Sequence, residues 1–412
     1  MMNNNNSGIG FAIDTTILMY DGTVKKIQDI EVGDEIMGAN SMPKTVKKII
    51  ESRNKMYAIV PIKGVKYTTS GDHLLMLKVS NYEIVWWHEA RQRYKVRWIE
   101  NFSIKEKIFT VNKFGNKKSS SKTSKNKAKE NTFLIAKKYL KKEVPKRKGY
   151  VKYGDVVKIK VKDYMKLSKN VQAVYKGFSS GIDFEERDVD VDPYILGYWL
   201  GDGTSVKPEI TTAEPEIVER FEEYAKENDM SVKKTRKYHY YLTNGKYTRG
   251  QNPFTNFLRK YKVWGDKHIP DDYLMNSREN RLKLLAGLVD SDGCNDHNCY
   301  KFVFKSEKLA DGTIFLARSL GFKAIKRKVR CTCTNGSHGR VTGDYYQFHI
   351  CGEGLEKVPS ILERKQTHKR ETKKNAAVTG IKVKYAGNAD YYGFKTNGNN
   401  RILLEDFTVV HC

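Results

Sequence analysis

Long apolar segments are missing from this sequence of 412 residues. No run of about 18 or more apolar residues occurs, which excludes a membrane-spanning helix of the usual length. The opening stretch, residues 1–6, is mostly asparagine and has no apolar core of the kind that a secretory signal needs. We therefore expect an intracellular protein with no membrane partner, located in the nucleus if the source is a eukaryote.

Cysteine is also scarce. The six cysteines all lie in the last third of the chain: Cys294, Cys299, Cys331, Cys333, Cys351 and Cys412. In a chain of this size that usage indicates reduced thiols rather than a disulfide framework. A zinc site formed by Cys294, Cys299, Cys331 and Cys333 is a second interpretation, although neither spacing is a common zinc pattern.

Negative charge is in deficit, with 75 Lys and Arg against 48 Asp and Glu and a formal net charge of +27. This excess of positive charge fits a polyanionic partner, so nucleic acid is the first candidate. A merely basic soluble protein is the alternative. The length allows two or three domains with separate cores.

Four stretches of different character follow one another and predict a multidomain α+β protein. Residues 10–110 read as short strands with turn pairs such as Asp21-Gly22. Residues 111–189 begin with a basic tract rich in Ser and Asn, which is either a mobile solvated linker or a contact for nucleic acid. Residues 190–375 mix helical and strand patterns, and strands return at 376–412. The two β parts are either one interrupted domain or two independent ones.

One short pattern occurs twice, as ILGYWLGDG at residues 195–203 and as LAGLVDSDG at residues 285–293. Small residues stand four apart in both copies, Gly197 and Gly201 in the first and Gly287 and Ser291 in the second. On a helix these positions share one face. The pattern therefore predicts two helices that pack almost backbone against backbone.

Each predicted helix ends at an aspartate that glycine follows, Asp202 and Asp292. A carboxylate in the last turn faces the negative end of the helix dipole, which is unfavourable by about 0.3–1 kcal/mol. Pairing of the helices would bring both carboxylates together. A divalent cation would neutralise them, and hard oxygen ligands suit Mg²⁺.

The duplicated motif resembles the LAGLIDADG homing endonucleases. The resemblance implies two α/β halves related by a pseudo-two-fold axis, with the motif helices at their interface and two sheets over the DNA major groove. It implies that Asp202 and Asp292 are metal-binding catalytic acids. The segment 266–270 resembles the one that carries a catalytic lysine, here Lys267, and Lys365 is the best match in the second half. A monomer with two active sites and a long, asymmetric double-stranded DNA target is expected.

The flanking β segments resemble an intein, the Hint fold, at residues 15–22, 70–73, 391–394 and 409–411. The resemblance therefore implies an all-β Hint domain that is split by the inserted endonuclease domain. It also places a splicing centre at Gly10, Ser70, Asp72, His73, His411 and Cys412.

Splicing needs a Cys or Ser as the first intein residue and an Asn at the end. Gly10 has no nucleophilic side chain, and His411 is followed directly by Cys412. We therefore expect either a free-standing endonuclease or an intein with altered or trimmed junctions.

Two groups of basic residues extend the expected contact with DNA phosphates. They are Arg91, Arg93, Lys95 and Arg97, and Lys137, Lys138, Lys141, Lys142 and Arg147. Three hypotheses follow: a Mg²⁺-dependent, site-specific DNA endonuclease, a splicing intein with a passenger nuclease, or a DNA-binding module without catalysis. The intact aspartates favour the first hypothesis.

Overall fold

The computed structural model describes residues 9–80, 84–111, 122–245, 252–336, 339–369, 375–398 and 400–412. Strands dominate both ends of the chain and helices carry much of the middle, so the predicted mixed α+β class is confirmed. None of the helices in these ranges is both long enough and apolar enough to cross a membrane.

The strands of the first part are β1 (Phe11–Ala12), β2 (Thr16–Leu18), β3 (Val24–Lys26), β4 (Glu35–Met37), β5 (Pro43–Pro61), β6 (Tyr67–Ser70), β7 (Leu74–Val79), β8 (Ile84–His88), β9 (Arg93–Glu100) and β10 (Ser103–Thr110). They are followed by α1 (Lys122–Lys142), β11 (Tyr150–Val151), β12 (Val156–Lys160), α2 (Val161–Lys166), α3 (Lys169–Gln172) and β13 (Tyr175–Phe178). The central part contains α4 (Pro193–Asp202), β14 (Glu209–Thr211), α5 (Pro215–Glu227), β15 (Ser231–Arg236), β16 (His239–Thr243), α6 (Pro253–Lys260), α7 (Asp271–Leu274), α8 (Arg278–Ser291), β17 (Cys294–Asp296), β18 (Cys299–Phe304), α9 (Glu307–Ser319), β19 (Lys323–Ala324), β20 (Arg327–Gly336) and β21 (Gly339–Cys351). The last strands are β22 (Val378–Thr379), β23 (Ile381–Thr396), β24 (Arg401–Leu403) and β25 (Val409–His411).

Strands from the two ends of the chain share one sheet. Its order is β23-β1-β6-β5-β4, and the long strands β5 and β23 also pair with each other. In this register Phe11 lies opposite Tyr392. The two β parts are therefore not independent domains.

A smaller sheet packs against the helix α1 of the basic tract. In this sheet β9 pairs with β8, β10 and β11. The buried residues Tyr94, Val96 and Trp98 of β9 share a cluster with Ala136 of α1 and with Val144. The described part of the basic tract is thus a helix in a packed core, so its interpretation as a solvated linker is wrong for residues 122–142.

Strand pairing does not follow the predicted boundary at residues 110 and 111. The strand β11 pairs with β9, which joins residues on both sides of that boundary. The strands β12 and β13 instead pair with β7. Residues 112–121 of the predicted linker lie outside the described residues.

The central part contains one closely packed helix pair and two sheets. The helices α4 and α8 belong to the largest apolar cluster of the molecule. The sheet β14-β16-β15 follows α4, and the sheet of β17 to β21 follows α8. As the sequence predicts, Asp192 caps α4 by accepting hydrogen bonds from the backbone N–H groups of Tyr194 and Ile195, with Pro193 in the first turn.

Cys299 and Cys351 form a disulfide between β18 and β21. The prediction of reduced thiols is wrong for this pair, because the antiparallel register brings their Cα atoms to 4.8 Å. Cys299 is therefore not a zinc ligand in this structure. No group of three or more His, Cys, Asp or Glu with metal-site geometry occurs among the described residues, and the Cys333 side chain lies outside them.

Candidate active site at the helix pair

The paired helices touch through their small residues. A Cβ atom added to Gly197 would lie 2.2 Å from the carbonyl oxygen of Leu284, and one added to Gly287 would lie 2.1 Å from that of Tyr194. A Cβ on Gly201 would lie 2.1 Å from Ser291 Oγ. Only a hydrogen atom fits at these positions, so the close packing predicted from the spacing of small residues is confirmed.

This packing brings the two motif aspartates to the same end of the helix pair. Asp202 is the last residue of α4, and Asp292 caps α8. A Cβ on Gly201, next to Asp202, would lie 3.2 Å from Asp292 Oδ2. Burial, and then the negative charge of Asp292, raises the pKa of Asp202 to about 6. Burial also raises the pKa of Asp292, against the opposing effect of the two nearby lysines.

Lys267 and Lys365 each bind the carboxyl end of one motif helix. The Lys267 ammonium donates to the carbonyl oxygens of Gly201 at 3.1 Å and Gly203 at 2.6 Å. The Lys365 ammonium donates to three consecutive carbonyl oxygens of α8, at 2.8 to 2.9 Å. Cations at this end of a helix compensate its dipole. Each lysine therefore stabilises a helix end that carries an aspartate.

The two lysines differ in the number of hydrogen bonds that their ammonium groups donate, two for Lys267 and three for Lys365. Burial lowers the pKa of Lys267 to about 8, although Asp292 and Asp202 oppose the shift. Burial also lowers the pKa of Lys365, which is only 5 % exposed. The three carbonyls of α8 match the three N–H donors of Lys365, so its ammonium has no donor left for a further hydrogen bond.

The residues at this end of the helix pair fit a divalent cation. Asp202 and Asp292 supply hard carboxylate oxygens, and the negative charge of Asp292 contributes to the raised pKa of Asp202 even with both lysines nearby. With only two protein carboxylates, a cation would complete its coordination with water and substrate oxygens, as Mg²⁺ commonly does.

Sequence reasoning missed a carboxylate inside the second motif helix, Asp290, which is 2 % exposed. It accepts a hydrogen bond of 2.8 Å from the hydroxyl of Tyr194 on the other motif helix. The available signal was an acidic residue within an apolar motif, at the position where the first copy has Leu200.

A second group of predicted residues lies within the β domain. His73 and His411 are buried, and the Nδ1 atom of each has no hydrogen-bond partner among the described residues. Burial lowers the pKa of His73 to about 3 and that of His411 to about 4. Both imidazoles are therefore neutral near pH 7. The ring of His73 lies 4.6 Å from that of Phe11, centroid to centroid, next to Gly10 in the chain.

The space around Gly10 is filled. A Cβ added there would lie 2.2 Å from Cδ2 of Tyr391 and 2.7 Å from the carbonyl oxygen of Tyr392. The backbone N–H of Ser70 donates to the Gly10 carbonyl at 3.1 Å. Position 10 therefore lacks both a nucleophile and room for the side chain of one.

Asp72 and Cys412 have different surroundings. Asp72 forms ion pairs with Lys160 at 3.0 Å and Lys162 at 2.7 Å, and these pairs lower the pKa of its carboxyl. Cys412 is buried beside Thr396, whose hydroxyl lies 3.4 Å from its Sγ atom, and burial raises the pKa of its thiol. The thiol is thus kept protonated.

The predicted basic residues do not form one surface. Arg93, Lys95 and Arg97 alternate in β9 with the buried residues that face α1, so they occupy the opposite face of the sheet. On that face Lys95 and Arg97 both pair with Glu106. The exposed lysines of α1 lie on the other side: Lys137, Lys138, Lys141 and Lys142.

The two remaining basic residues lie in turns. Arg91 is exposed in a 3-10 turn before β9. Arg147 forms an ion pair of 2.6 Å with Glu100, and its guanidinium lies 5.2 Å from the centroid of the Trp98 ring.

Comparison with known proteins gives partial matches to individual relatives. The chain is 34 % identical over 190 residues to the replicative DNA helicase DnaB of Mycobacterium intracellulare, covering 46 % of this chain and 28 % of that protein. It is 26 % identical over 254 residues to the homothallic switching endonuclease of Saccharomyces cerevisiae, covering 51 % of this chain and 42 % of that one. The chain thus spans less than half the length of these relatives.

Among solved structures, a variant of the homing endonuclease I-DmoI matches with a TM-score of 0.26 and 14 % identity, covering 39 % of this chain and 83 % of that one. The match to a protein family extends much further, over residues 10–411, and includes both β parts and the helix pair. The chain belongs to the family of Hom_end-associated Hint proteins.

Proposed function

We propose that this protein is a site-specific DNA endonuclease that cleaves both strands of a long, asymmetric target and requires a divalent metal, with Mg²⁺ as the physiological ion. The observation that carries the proposal is the pair of carboxylates, the partly buried Asp202 and the accessible Asp292, at the meeting ends of two closely packed helices. The similarity to a relative named a homothallic switching endonuclease supports it. In this proposal a split Hint domain carries the nuclease, and the chain acts as a monomer with two sites.

The residues of each half would have complementary tasks. Asp202 and Asp292 would hold the metal, which would supply a Lewis acid for the phosphodiester and lower the pKa of a bound water. Lys267 would place positive charge beside the scissile phosphate of one strand, and Lys365 would do so for the other. The basic residues of α1 would bind phosphates outside the cleavage site and fix the register on the duplex.

The test is cleavage of a plasmid library that contains DNA from the source genome, in the presence of Mg²⁺. We expect one defined cut in both strands. Asp202→Asn or Asp292→Asn should abolish this cut, because each replaces a metal-binding carboxylate. Specific binding of the recovered target should persist in both variants, and in the wild-type protein when Ca²⁺ replaces Mg²⁺.

Suitable controls separate the hypotheses. Asp311 lies on the exposed surface of α9 and forms an ion pair with Lys326, outside the proposed site. Asp311→Asn should therefore leave cleavage unchanged. Cleavage at the wild-type rate by either motif variant would contradict the proposed site. Specific binding without cleavage by the wild-type protein in any divalent metal would identify a DNA-binding module instead.

Protein splicing is a second candidate function, favoured by the two buried imidazoles of His73 and His411. Both keep an unpartnered Nδ1 atom in the described part of the β domain. The glycine at position 10 and the direct succession of His411 and Cys412 oppose this function. We therefore infer that the chain as given does not splice.

A further inference from the structure

Asp290 is a carboxylate within the apolar part of a motif helix. Its side chain is 2 % exposed, and the matching position of the first motif helix carries Leu200. A buried carboxylate is costly unless hydrogen bonds satisfy its oxygens. The hydrogen bonds of Asp290 therefore indicate why a charge is tolerated here.

Three donors from two other parts of the molecule converge on this carboxylate. The Ser360 hydroxyl donates to Oδ1 at 2.5 Å, and the backbone N–H of Ile361 donates to Oδ2 at 2.7 Å. The Tyr194 hydroxyl, from the first turn of α4, also donates to Oδ2, at 2.8 Å. Asp290 thus links both motif helices to the segment that begins at Ser360.

That segment leads directly to Lys365. It enters a 3-10 turn at Glu363–Lys365, and the backbone N–H of Lys365 donates to the Leu362 carbonyl at 2.8 Å. The Lys365 ammonium then donates to the backbone carbonyl of Asp290 itself, at 2.8 Å. The same residue therefore binds the segment at its start, through the side chain, and at its end, through the backbone.

We propose that Asp290 is a positioning residue that holds Lys365 at the carboxyl end of α8 and so serves only one of the two cleavage sites. The inference about cleavage rests on the proposed endonuclease function. In the first half Leu200 offers no acceptor. The segment before Lys267 is held there by backbone bonds, such as that from Gly265 N–H to the Ser205 carbonyl at 2.8 Å.

The first experiment measures the position of Lys365 without any cleavage. The intact wild-type protein and its variants are acylated briefly with an amine-reactive ester, and mass spectrometry quantifies the modification of each lysine. Asp290→Leu leaves the donors of Ser360 and Ile361 unsatisfied, so acylation of Lys365 should rise by about tenfold, the effect of roughly 1.4 kcal/mol. Asp290→Asn keeps one acceptor oxygen and should give a smaller rise.

Two comparisons make this labelling specific. Acylation of Lys267 should not change, since Asp290 does not touch its segment, and Asp311→Asn should label like the wild type. Unchanged acylation of Lys365 in Asp290→Leu would overturn the proposal. An equal rise at Lys267 would also overturn it, since it would show general loosening of the helix pair.

The second experiment follows each strand of the duplex recovered by wild-type cleavage of the plasmid library, with the two strands labelled separately. Asp290→Leu and Lys365→Met should slow the same strand by about tenfold or more, so that nicked DNA accumulates. The double variant should cut that strand no more slowly than Lys365→Met alone, because Asp290 acts through Lys365.

Equal slowing of both strands, or fully additive effects in the double variant, would overturn the positioning role in cleavage. Failure of the wild-type protein to cut any DNA would instead contradict the proposed endonuclease function. The labelling result would still decide whether Asp290 positions Lys365.

Discussion

At the scale of single residues, the charges at the helix ends oppose the stability of the metal-free fold. Asp202 and Asp292 lie where the backbone carbonyls of α4 and α8 already present negative potential. Lys267 and Lys365 compensate part of it by binding those carbonyls. Burial, and then the charge of Asp292, still raises the pKa of Asp202 to about 6 in spite of both lysines.

The stability of the metal-free protein should therefore depend on the protonation of Asp202. Its folded pKa of about 6 exceeds the ordinary value of 3.8, so the folded state binds more protons between these values. The free energy of unfolding should fall as pH rises through this window. Asp202→Asn should remove this loss and raise the free energy of unfolding at pH 8 by up to about 3 kcal/mol.

Denaturant unfolding in a chelating buffer, at several pH values from 4 to 8, measures this effect. The advantage of Asp202→Asn should shrink as pH falls towards 4 and vanish below the unfolded pKa of 3.8, where the wild-type carboxyl is protonated in both states. Asp311→Asn provides the control for a change of charge. A variant less stable than the wild type at pH 8 would contradict the electrostatic account.

At the scale of elements, the helix pair depends on glycine for its close approach. The backbone carbonyls of Leu284 and Tyr194 occupy the space that a Cβ on Gly197 or Gly287 would need. The carbonyls belong to helices and cannot move independently of them. The glycines at 197 and 287 therefore allow the close approach of the helices that brings Asp202 and Asp292 together.

Replacing either glycine by alanine should separate the helices. We expect Gly197→Ala or Gly287→Ala to lower the free energy of unfolding by about 1–3 kcal/mol, as overpacking usually does. Gly312→Ala, in α9, is the matched control, since its Cβ would meet Ile269 at an ordinary 3.4 Å. That variant should be neutral or slightly stabilising because alanine favours helices. Thermal unfolding distinguishes the two outcomes.

The helix α1 and the sheet behind it present basic residues on opposite sides. No salt bridge involves the α1 lysines within the described part of the chain, whereas Glu106 offsets Lys95 and Arg97 on the other face. We therefore expect DNA to contact the helix side. Deleting the whole tract would remove Ala136 and Val144 from a packed core, so substitution tests the contact more cleanly.

Changing Lys137, Lys138, Lys141 and Lys142 to Gln should weaken binding and reduce its salt dependence. Each phosphate that the protein no longer neutralises should lower the log–log slope by about 0.9. The matched variant changes Arg93, Lys95 and Arg97 on the opposite face, and its slope should stay close to that of the wild type. The reverse pattern would place the DNA against the sheet.

At the scale of the whole molecule, the two ends of the chain meet in one sheet, but position 10 does not accommodate a nucleophile. We expect no splicing from the chain as given between two reporter exteins. Gly10→Cys, with Asn inserted after His411, should also fail, because the Cβ would meet the Tyr391 ring at 2.2 Å. Tyr391→Ala, added to these two changes, removes that ring. Any ligation should then occur only in the chain that also carries Tyr391→Ala.

Gel analysis of the ligated exteins measures the result, with His73→Ala as the control that removes a predicted splicing residue. Ligation by the unaltered chain would contradict our interpretation of the junctions. Ligation by the repaired chain with Tyr391 still present would show that the ring moves aside. Cleavage at one junction alone would indicate that only that half of the centre still works.

The sequence by itself determined the features that depend on local pattern. Small residues spaced four apart predicted the helix faces that meet, and the aspartates that end both copies predicted where carboxylates come together. The Asp-Pro pair at residues 192–193 predicted the start of α4. These features follow from helix periodicity and capping, which neighbouring residues set.

Only the tertiary structure decided the contacts between residues far apart in the chain. The ammonium of Lys365 reaches carbonyls of α8, Asp290 gathers donors from two other segments, and Cys299 meets Cys351 through strand register. The basic tract, whose composition resembles a solvated linker, becomes a helix because a sheet offers it an apolar face. Such partners are fixed by packing and register, which no local pattern encodes.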